Sequence, residues 1–162
     1  ARVHIAQILI SRGYASDLKE ALRRYLSKGG PGYVQKEVLP PEECIRLAHE
    51  AGGLIFVAHL HQIDPASPEH CVQVCRKLLE AGADGLETLY CEFDDEWRAV
   101  TESLAQEYRC LRSGGSDFHG TMKKGLDLGV GYGDLSVPYP FVEAMKEERS
   151  RKEGFWAGRG TE

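Results

Sequence analysis

Leu54-Ile55-Phe56-Val57-Ala58 is an unbroken apolar run, preceded by Gly52-Gly53 and followed at once by His59. Its length and its bounding glycines point to a strand. No polar residue alternates within it, so a strand here is expected to be buried on both faces, as in a parallel sheet covered by helices.

The flanking segments supply those helices. Pro40-Pro41-Glu42-Glu43 opens one, with proline and acids where a helix start favours them, and Cys44, Ile45 and Ala48 form its apolar face. Ser67-Pro68-Glu69 is a second entry, an N-cap followed by proline, for a helix running to about Glu80 and stopping at Gly82. Gly85 to Tyr90 reads as a second buried strand. Asp94 to Tyr108 then reads as a helix, with Trp97, Val100, Leu104 and Tyr108 on one face. A third strand is expected over Cys110 to Ser113, a fourth over Gly129 to Tyr132, and a last helix around Phe141, Val142 and Met145. This alternation is the rhythm of an α/β fold. The polar, Gly-containing stretch from Arg149 to Glu162 is expected to be a poorly ordered tail.

The first forty residues follow another pattern. Ile5, Ile8 and Leu9 recur at helical spacing up to Gly13. Leu18, Ala21, Leu22, Tyr25 and Leu26 do the same after an N-cap candidate, Ser16, until Gly29-Gly30-Pro31-Gly32 breaks the chain. A small helical hairpin is expected here.

The net charge of −5 excludes a generally basic, nucleic-acid-gripping surface. No apolar run approaches membrane-spanning length. The five cysteines, Cys44, Cys71, Cys75, Cys91 and Cys110, are scattered and include no CxxC pair. Reduced thiols in a cytoplasmic protein suit that pattern better than a disulfide framework.

The chemistry is expected where the strands end. Ser113-Gly114-Gly115-Ser116-Asp117-Phe118-His119-Gly120 leaves the third strand as a small, polar segment. In an extended backbone residues two apart point the same way, so Asp117 and His119 can reach one ion or one substrate. Taken alone, the segment could equally be an ordinary turn. His59 follows the first strand, and Glu87 to Glu92 surround the second. In a parallel sheet or barrel these ends share one face. A His, Asp, His set suits manganese, iron or zinc, and such ions activate water and neutralise phosphate. Glu87 reads either as a support for the ligands or as a polar residue at a strand end. His49, His61 and His70 read as surface residues, and Glu92, Asp94, Asp95 and Glu96 as a solvated charge run. Lys123 and Lys124 could meet a phosphate or simply be solvated.

Several segments, in order, carry a resemblance. They are Arg2-Val3-His4-Ile5-Ala6, Tyr25-Leu26 through Gly32-Tyr33-Val34, Ala51-Gly52-Gly53 with Val57-Ala58-His59, Asp84-Gly85-Leu86-Glu87, Gly115-Ser116-Asp117-Phe118-His119-Gly120, and Leu128-Gly129. Up to about residue 146 the chain resembles the second half of the PHP-domain (polymerase and histidinol phosphatase) metal-dependent phosphoesterases. The subgroup it resembles is the nucleoside 3′,5′-bisphosphate phosphatase and 5′-to-3′ exoribonuclease type. The resemblance implies a distorted (β/α)7 barrel, with residues 1–40 as a helical insertion, 41–148 as the C-terminal half of the barrel and 149–162 as a flexible tail. It implies two or three metal ions at the carboxyl ends of the strands, manganese first and iron or zinc as alternatives. It also implies hydrolysis of phosphate esters on nucleotides or short RNA ends. Matched position by position, His59, Asp117 and His119 are metal ligands and catalytic residues. His4 is a ligand or phosphate contact, and Arg2 is a phosphate-binding arginine.

Two departures from the family pattern stand out. Leu60 occupies the place of a proline, which implies a changed loop path after His59. The family's His-x-Asp-x-His-x-His motif, with a later histidine and glutamate, has no counterpart between Ala1 and Glu162. Three or four strands cannot close such a barrel, and an open edge invites pairing. The expectation is therefore a C-terminal fragment, or a chain that associates with another copy, with weak activity or none in isolation. A non-catalytic module of the same scaffold, binding a phosphate or a protein partner, is the competing reading. A metal-dependent hydrolase of another ester or amide is a third.

Overall fold

The computed structural model describes residues 2–35, 38–120 and 123–157, with 153–157 as backbone alone. The chain divides into two units, Ala1–Leu39 and Pro40–Glu162.

The first unit is helical. It contains α1 (Arg2–Ser11) and α2 (Leu18–Ala21), the latter widening into a π-helical turn over Leu22–Leu26. The cap of α2 is Asp17, whose carboxylate accepts the Glu20 N–H at 2.8 Å. Ser16, expected in that role, instead donates its N–H and hydroxyl to the Glu20 carboxylate at 2.8 and 2.7 Å. Ala6, Ala15, Ala21 and Leu26 form the core, with Leu9, Ile10, Leu18, Leu22 and Tyr25 against it. Ile5 and Ile8 were expected on the buried stripe but are exposed. Spacing defines a stripe but not which of two neighbouring stripes turns inward. Here the small Ala6 sits at the centre of the core.

In the second unit helices alternate with strands. The order is α3 (Pro41–Glu50), β1 (Phe56–Val57), a 3-10 turn (Leu60–Gln62), α4 (Pro68–Glu80), β2 (Gly85–Tyr90), α5 (Asp95–Glu107), β3 (Leu111–Gly115) and α6 (Pro140–Ala157). The entries to α4 and α5 are as read from sequence. The Ser67 hydroxyl accepts the His70 N–H at 3.2 Å, and the Asp94 carboxylate accepts the Trp97 N–H at 2.8 Å.

The strands form a parallel sheet in the order β1-β2-β3. Val57, Leu86 and Tyr90 from the strand regions pack with Cys71, Cys75 and Leu79 of α4 and Leu104 and Ala105 of α5. None of the five cysteines forms a disulfide. Register shifts between Glu87 and Leu89, where β3 comes very close. A side chain at Gly114 would meet the Leu89 carbonyl at 2.8 Å, so only glycine fits that position.

Three expectations are corrected. The apolar run makes a strand of two residues, and Ala58 is exposed. The ladder stops short because the Ile55 N–H is taken by the Asp84 carboxylate at 2.7 Å. No fourth strand forms over Gly129 to Tyr132. Only an isolated bridge, Asp127 to Gly131, is present, and Gly129 and Gly131 hold φ values of 80° and 62° that an extended strand does not use. The segment from Arg149 to Ala157, read as flexible tail, continues α6. Its straight-chain charged residues are good helix formers, and Arg151 pairs with Glu148 one turn back. Residues 158–162 and the side chains of Phe155 and Trp156 lie outside the described residues. Among the described residues, no helix is long and apolar enough to cross a membrane.

Candidate metal centre

Two strand ends turn sharply in the same manner. His59, two residues beyond β1, and Asp117, two beyond β3, both adopt left-handed backbone, with φ of 48° and 52°. Such a conformation is uncommon outside glycine, though His and Asp tolerate it better than most, and it recurs at functional sites. The His59 N–H is held by the Glu87 carboxylate of β2 at 3.0 Å. Gly120, with φ of 66°, completes the turn after the third strand.

These turns bring three side chains together. His59 Nε2 lies 3.6 Å from Asp117 Oδ1, and His119 Nδ1 lies 3.4 Å from the same oxygen. The other Asp117 oxygen accepts a hydrogen bond from Lys123 Nζ at 2.8 Å and one from the Tyr90 hydroxyl at 3.3 Å. Gln62 Nε2 donates to that hydroxyl at 3.3 Å. Lys123 Nζ also donates to Glu92 Oε1 at 3.1 Å, and the other Glu92 oxygen faces His61 Nε2 at 3.9 Å. The result is one polar chain, His61–Glu92–Lys123–Asp117, ending on two imidazoles.

The electrostatics separate the carboxylates. Burial pushes the Asp117 carboxyl up, but the Lys123 ammonium and the His119 and His59 rings outweigh it and hold the pKa below the ordinary range. Glu87 goes the other way. Burial raises its carboxyl, and the His59 contacts recover only part of the shift. The Tyr90 hydroxyl is raised by burial first and by the nearby Glu92 and Asp117 charges next, so it stays a protonated donor.

The donor set suits a first-row divalent metal in its chemistry. Ligand atoms at about 2.1 Å from such an ion stand about 3 to 3.5 Å from one another, close to the 3.6 Å between His59 Nε2 and Asp117 Oδ1. His119 Nδ1 meets the Asp117 carbonyl at 2.6 Å, which leaves Nε2 as the free donor in the pattern common to ligating histidines. The set is not a finished cage. Among the described residues, no group of three or more His, Cys, Asp or Glu side chains is arranged to hold a metal as it stands.

Several residues have surroundings that differ from the sequence expectation. His61 is not an exposed loop residue. It packs on Tyr90, Phe93 and Trp97, and its buried Nδ1 has no partner among the described residues. Glu92 is exposed, as are Asp94, Asp95 and Glu96, but it also faces Lys123 and His61. His49 is half-buried and bonds Asp84 Oδ2 at 2.9 Å, away from this group. His70 is at the surface beside Asp64, as expected. Tyr90 carried no sequence signal beyond ending a strand. Arg2 and His4 both lie exposed on α1 in the first unit. There Arg2 lines a cleft of about 320 Å³ with Tyr33, Val34, Gln35 and Val38.

No family model matches the chain. Over 118 residues it is 29% identical to the 5′-3′ exoribonuclease Rnm of Escherichia coli (strain K12), a match spanning 73% of this chain and 40% of the relative. Over 134 residues it is 29% identical to the 3′,5′-nucleoside bisphosphate phosphatase of Chromobacterium violaceum, spanning 80% of this chain and 45% of the relative. A crystal structure from Bifidobacterium adolescentis, described as a metal-dependent phosphoesterase, superposes with a TM-score of 0.68 at 24% identity, covering 90% of this chain and 49% of that one. At that identity the superposition shows the fold alone. The chain spans less than half the length of the curated relatives it matches. In sequence and in fold the chain resembles the metal-dependent phosphoesterases of the PHP type.

Proposed function

We propose that His59, Asp117 and His119 form one side of a divalent metal centre in a phosphoesterase acting on nucleotides or short RNA ends. The three strands, in this reading, belong to a distorted (β/α)7 barrel. The single observation that carries the proposal is the meeting of both imidazoles on Asp117 Oδ1, at 3.6 and 3.4 Å, beyond the carboxyl ends of β1 and β3. The printed activities of the E. coli and C. violaceum relatives support the substrate class.

Two imidazoles and a carboxylate fit manganese, with iron or zinc as alternatives. When bound, such an ion supplies an activated water and neutralises charge on the phosphoryl group. The chain's own residues prepare that chemistry. Asp117 stays ionised at neutral pH because Lys123 and the two rings favour its charge. Tyr90 and Lys123 fix its outer oxygen, and so aim Oδ1 at the histidines. The Asp117 carbonyl orients the His119 ring. Glu87 pins the left-handed turn that presents His59. Arg2, and His4 as ligand or phosphate contact, are assigned from the resemblance; a guanidinium suits bidentate phosphate binding. Three ligands do not complete a two-metal site, so the isolated chain is proposed to turn over weakly or not at all.

The test is manganese binding by calorimetry, run beside phosphate release from a 3′,5′-bisphosphonucleotide. Binding by the wild-type chain that disappears in His59→Ala and Asp117→Ala is expected, with little turnover. Robust turnover overturns the incomplete-site reading, and absence of metal binding overturns the metal centre. The second reading, a non-catalytic phosphate- or protein-binding module, is favoured by the lack of a finished cage among the described residues. It predicts phosphate binding that is indifferent to manganese.

A further inference from the structure

Lys123 is the least expected member of this constellation. It lies six residues beyond Asp117, outside the Asp-x-His motif, and its neighbour Lys124 is exposed. Its ammonium is paired. It bridges two carboxylates, Asp117 at 2.8 Å and Glu92 at 3.1 Å, with its side chain about two-thirds withdrawn from water (31% exposed). Asp117 is itself only 16% exposed, so this pairing is far less screened than a surface one. The Tyr90 hydroxyl converges on the same Asp117 oxygen.

We propose that Lys123 is a tethered cation that competes with the divalent metal for Asp117 and sets how tightly the centre binds it. The inference rests on the metal-centre reading and adds a role for a residue outside the ligand set. An ion entering between His59, Asp117 and His119 meets a carboxylate whose charge is already balanced by an ammonium. It also meets that ammonium as a like charge a few ångströms away. Uptake therefore requires Lys123 to loosen or to share Asp117, and part of the binding energy goes into that displacement. Once loosened, the ammonium stands beside the metal, where an anionic phosphoryl group would receive it. Removing the charge while keeping the length of the stem takes away the competitor, and the Tyr90 hydroxyl still holds the outer Asp117 oxygen.

The experiment is calorimetric titration of manganese into the wild-type chain, Lys123→Met and Lys123→Arg, with circular dichroism to confirm that each variant is folded. Lys123→Met is expected to bind manganese at least tenfold more tightly, about 1.4 kcal/mol. Lys123→Arg, which keeps the charge, is expected to stay within about threefold of wild type. Wild-type binding that Lys123→Met leaves equal or weakens overturns the role of Lys123 while sparing the metal centre. No binding by any of the three overturns both. If Lys123→Met does not fold, Lys123→Gln provides the same comparison.

Discussion

Asp84→Asn tests how the sheet is anchored at the end opposite the candidate site. The Asp84 side chain is only 3% exposed. One of its oxygens accepts from the Ile55 N–H at 2.7 Å and meets His49 Nε2 at 2.9 Å. The other pairs with Lys152 of α6. The carboxylate thus joins α3, the start of β1, the start of β2 and α6. An asparagine can keep the Ile55 bond, but its amide presents a donor to Lys152 or His49 and leaves the ammonium, 24% exposed, without a counter-charge. A hydrogen bond to a charged group contributes about 1.5–3 kcal/mol, and breaking a buried pair by removing one partner costs about 3–5. The partial exposure of Lys152 puts the expected loss near the lower end, about 3 kcal/mol. Urea denaturation at pH 7 would read it as a lower midpoint with unchanged slope.

The pH dependence adds a second constraint. Burial raises the Asp84 carboxyl, but Lys152, the Ile55 N–H and His49 together bring the pKa below its ordinary value. A depressed carboxylate stabilises the fold above its unfolded pKa of about 3.9 and loses that contribution as pH falls through the folded value. The gap between wild type and Asp84→Asn should therefore persist from pH 7 to pH 5 and narrow below about pH 4. Lys152→Met combined with Asp84→Asn should cost less than the sum of the two single changes, since they share one interaction. A loss under about 1 kcal/mol at pH 7, or a gap indifferent to acid, would refute the anchoring role.

Other outcomes follow from the same packing. Leu86→Ala, at a fully buried position in the central strand, should cost about 2–5 kcal/mol in the same urea assay, and a loss below 1 would mean the core lies elsewhere. Burial pushes the Cys75 thiol up to about 11, so a thiol reagent at pH 8 should spare it, and Cys71 beside it in the core, until the chain unfolds. Rapid labelling of either in the native protein would contradict that. Association through an open strand edge predicts a concentration-dependent species above 18.0 kDa on size exclusion, and a monomer at all concentrations would remove that proposal.

Local signals in the sequence carried a good deal of this. The cap at Ser67, the start of α5 at about Asp94 and the bounds of β2 are where residue chemistry alone puts them, because capping and glycine stops act within a turn of the chain. The meeting of His59 with Asp117 and His119 also followed from parallel strands ending on one face. Tertiary partners decided the rest. β1 is short because a carboxylate 29 residues later takes the Ile55 N–H, which no window of sequence reveals. His61 and Glu92 looked solvated, since polar residues in loops usually are. An aromatic wall of Tyr90, Phe93 and Trp97 draws His61 inward, and Glu92, though exposed, pairs with the ammonium of Lys123. Polarity alone does not tell a tail from a surface helix over Arg149–Ala157, where Lys152 has a buried carboxylate to reach.

The most direct measurement is a crystal of the chain soaked in manganese, with diffraction recorded for the anomalous signal of the metal. The account predicts a peak within about 2.3 Å of an Asp117 oxygen and of imidazole nitrogens from His59 and His119. A peak bound elsewhere, or none at saturating manganese with those three side chains still paired among themselves, would contradict it.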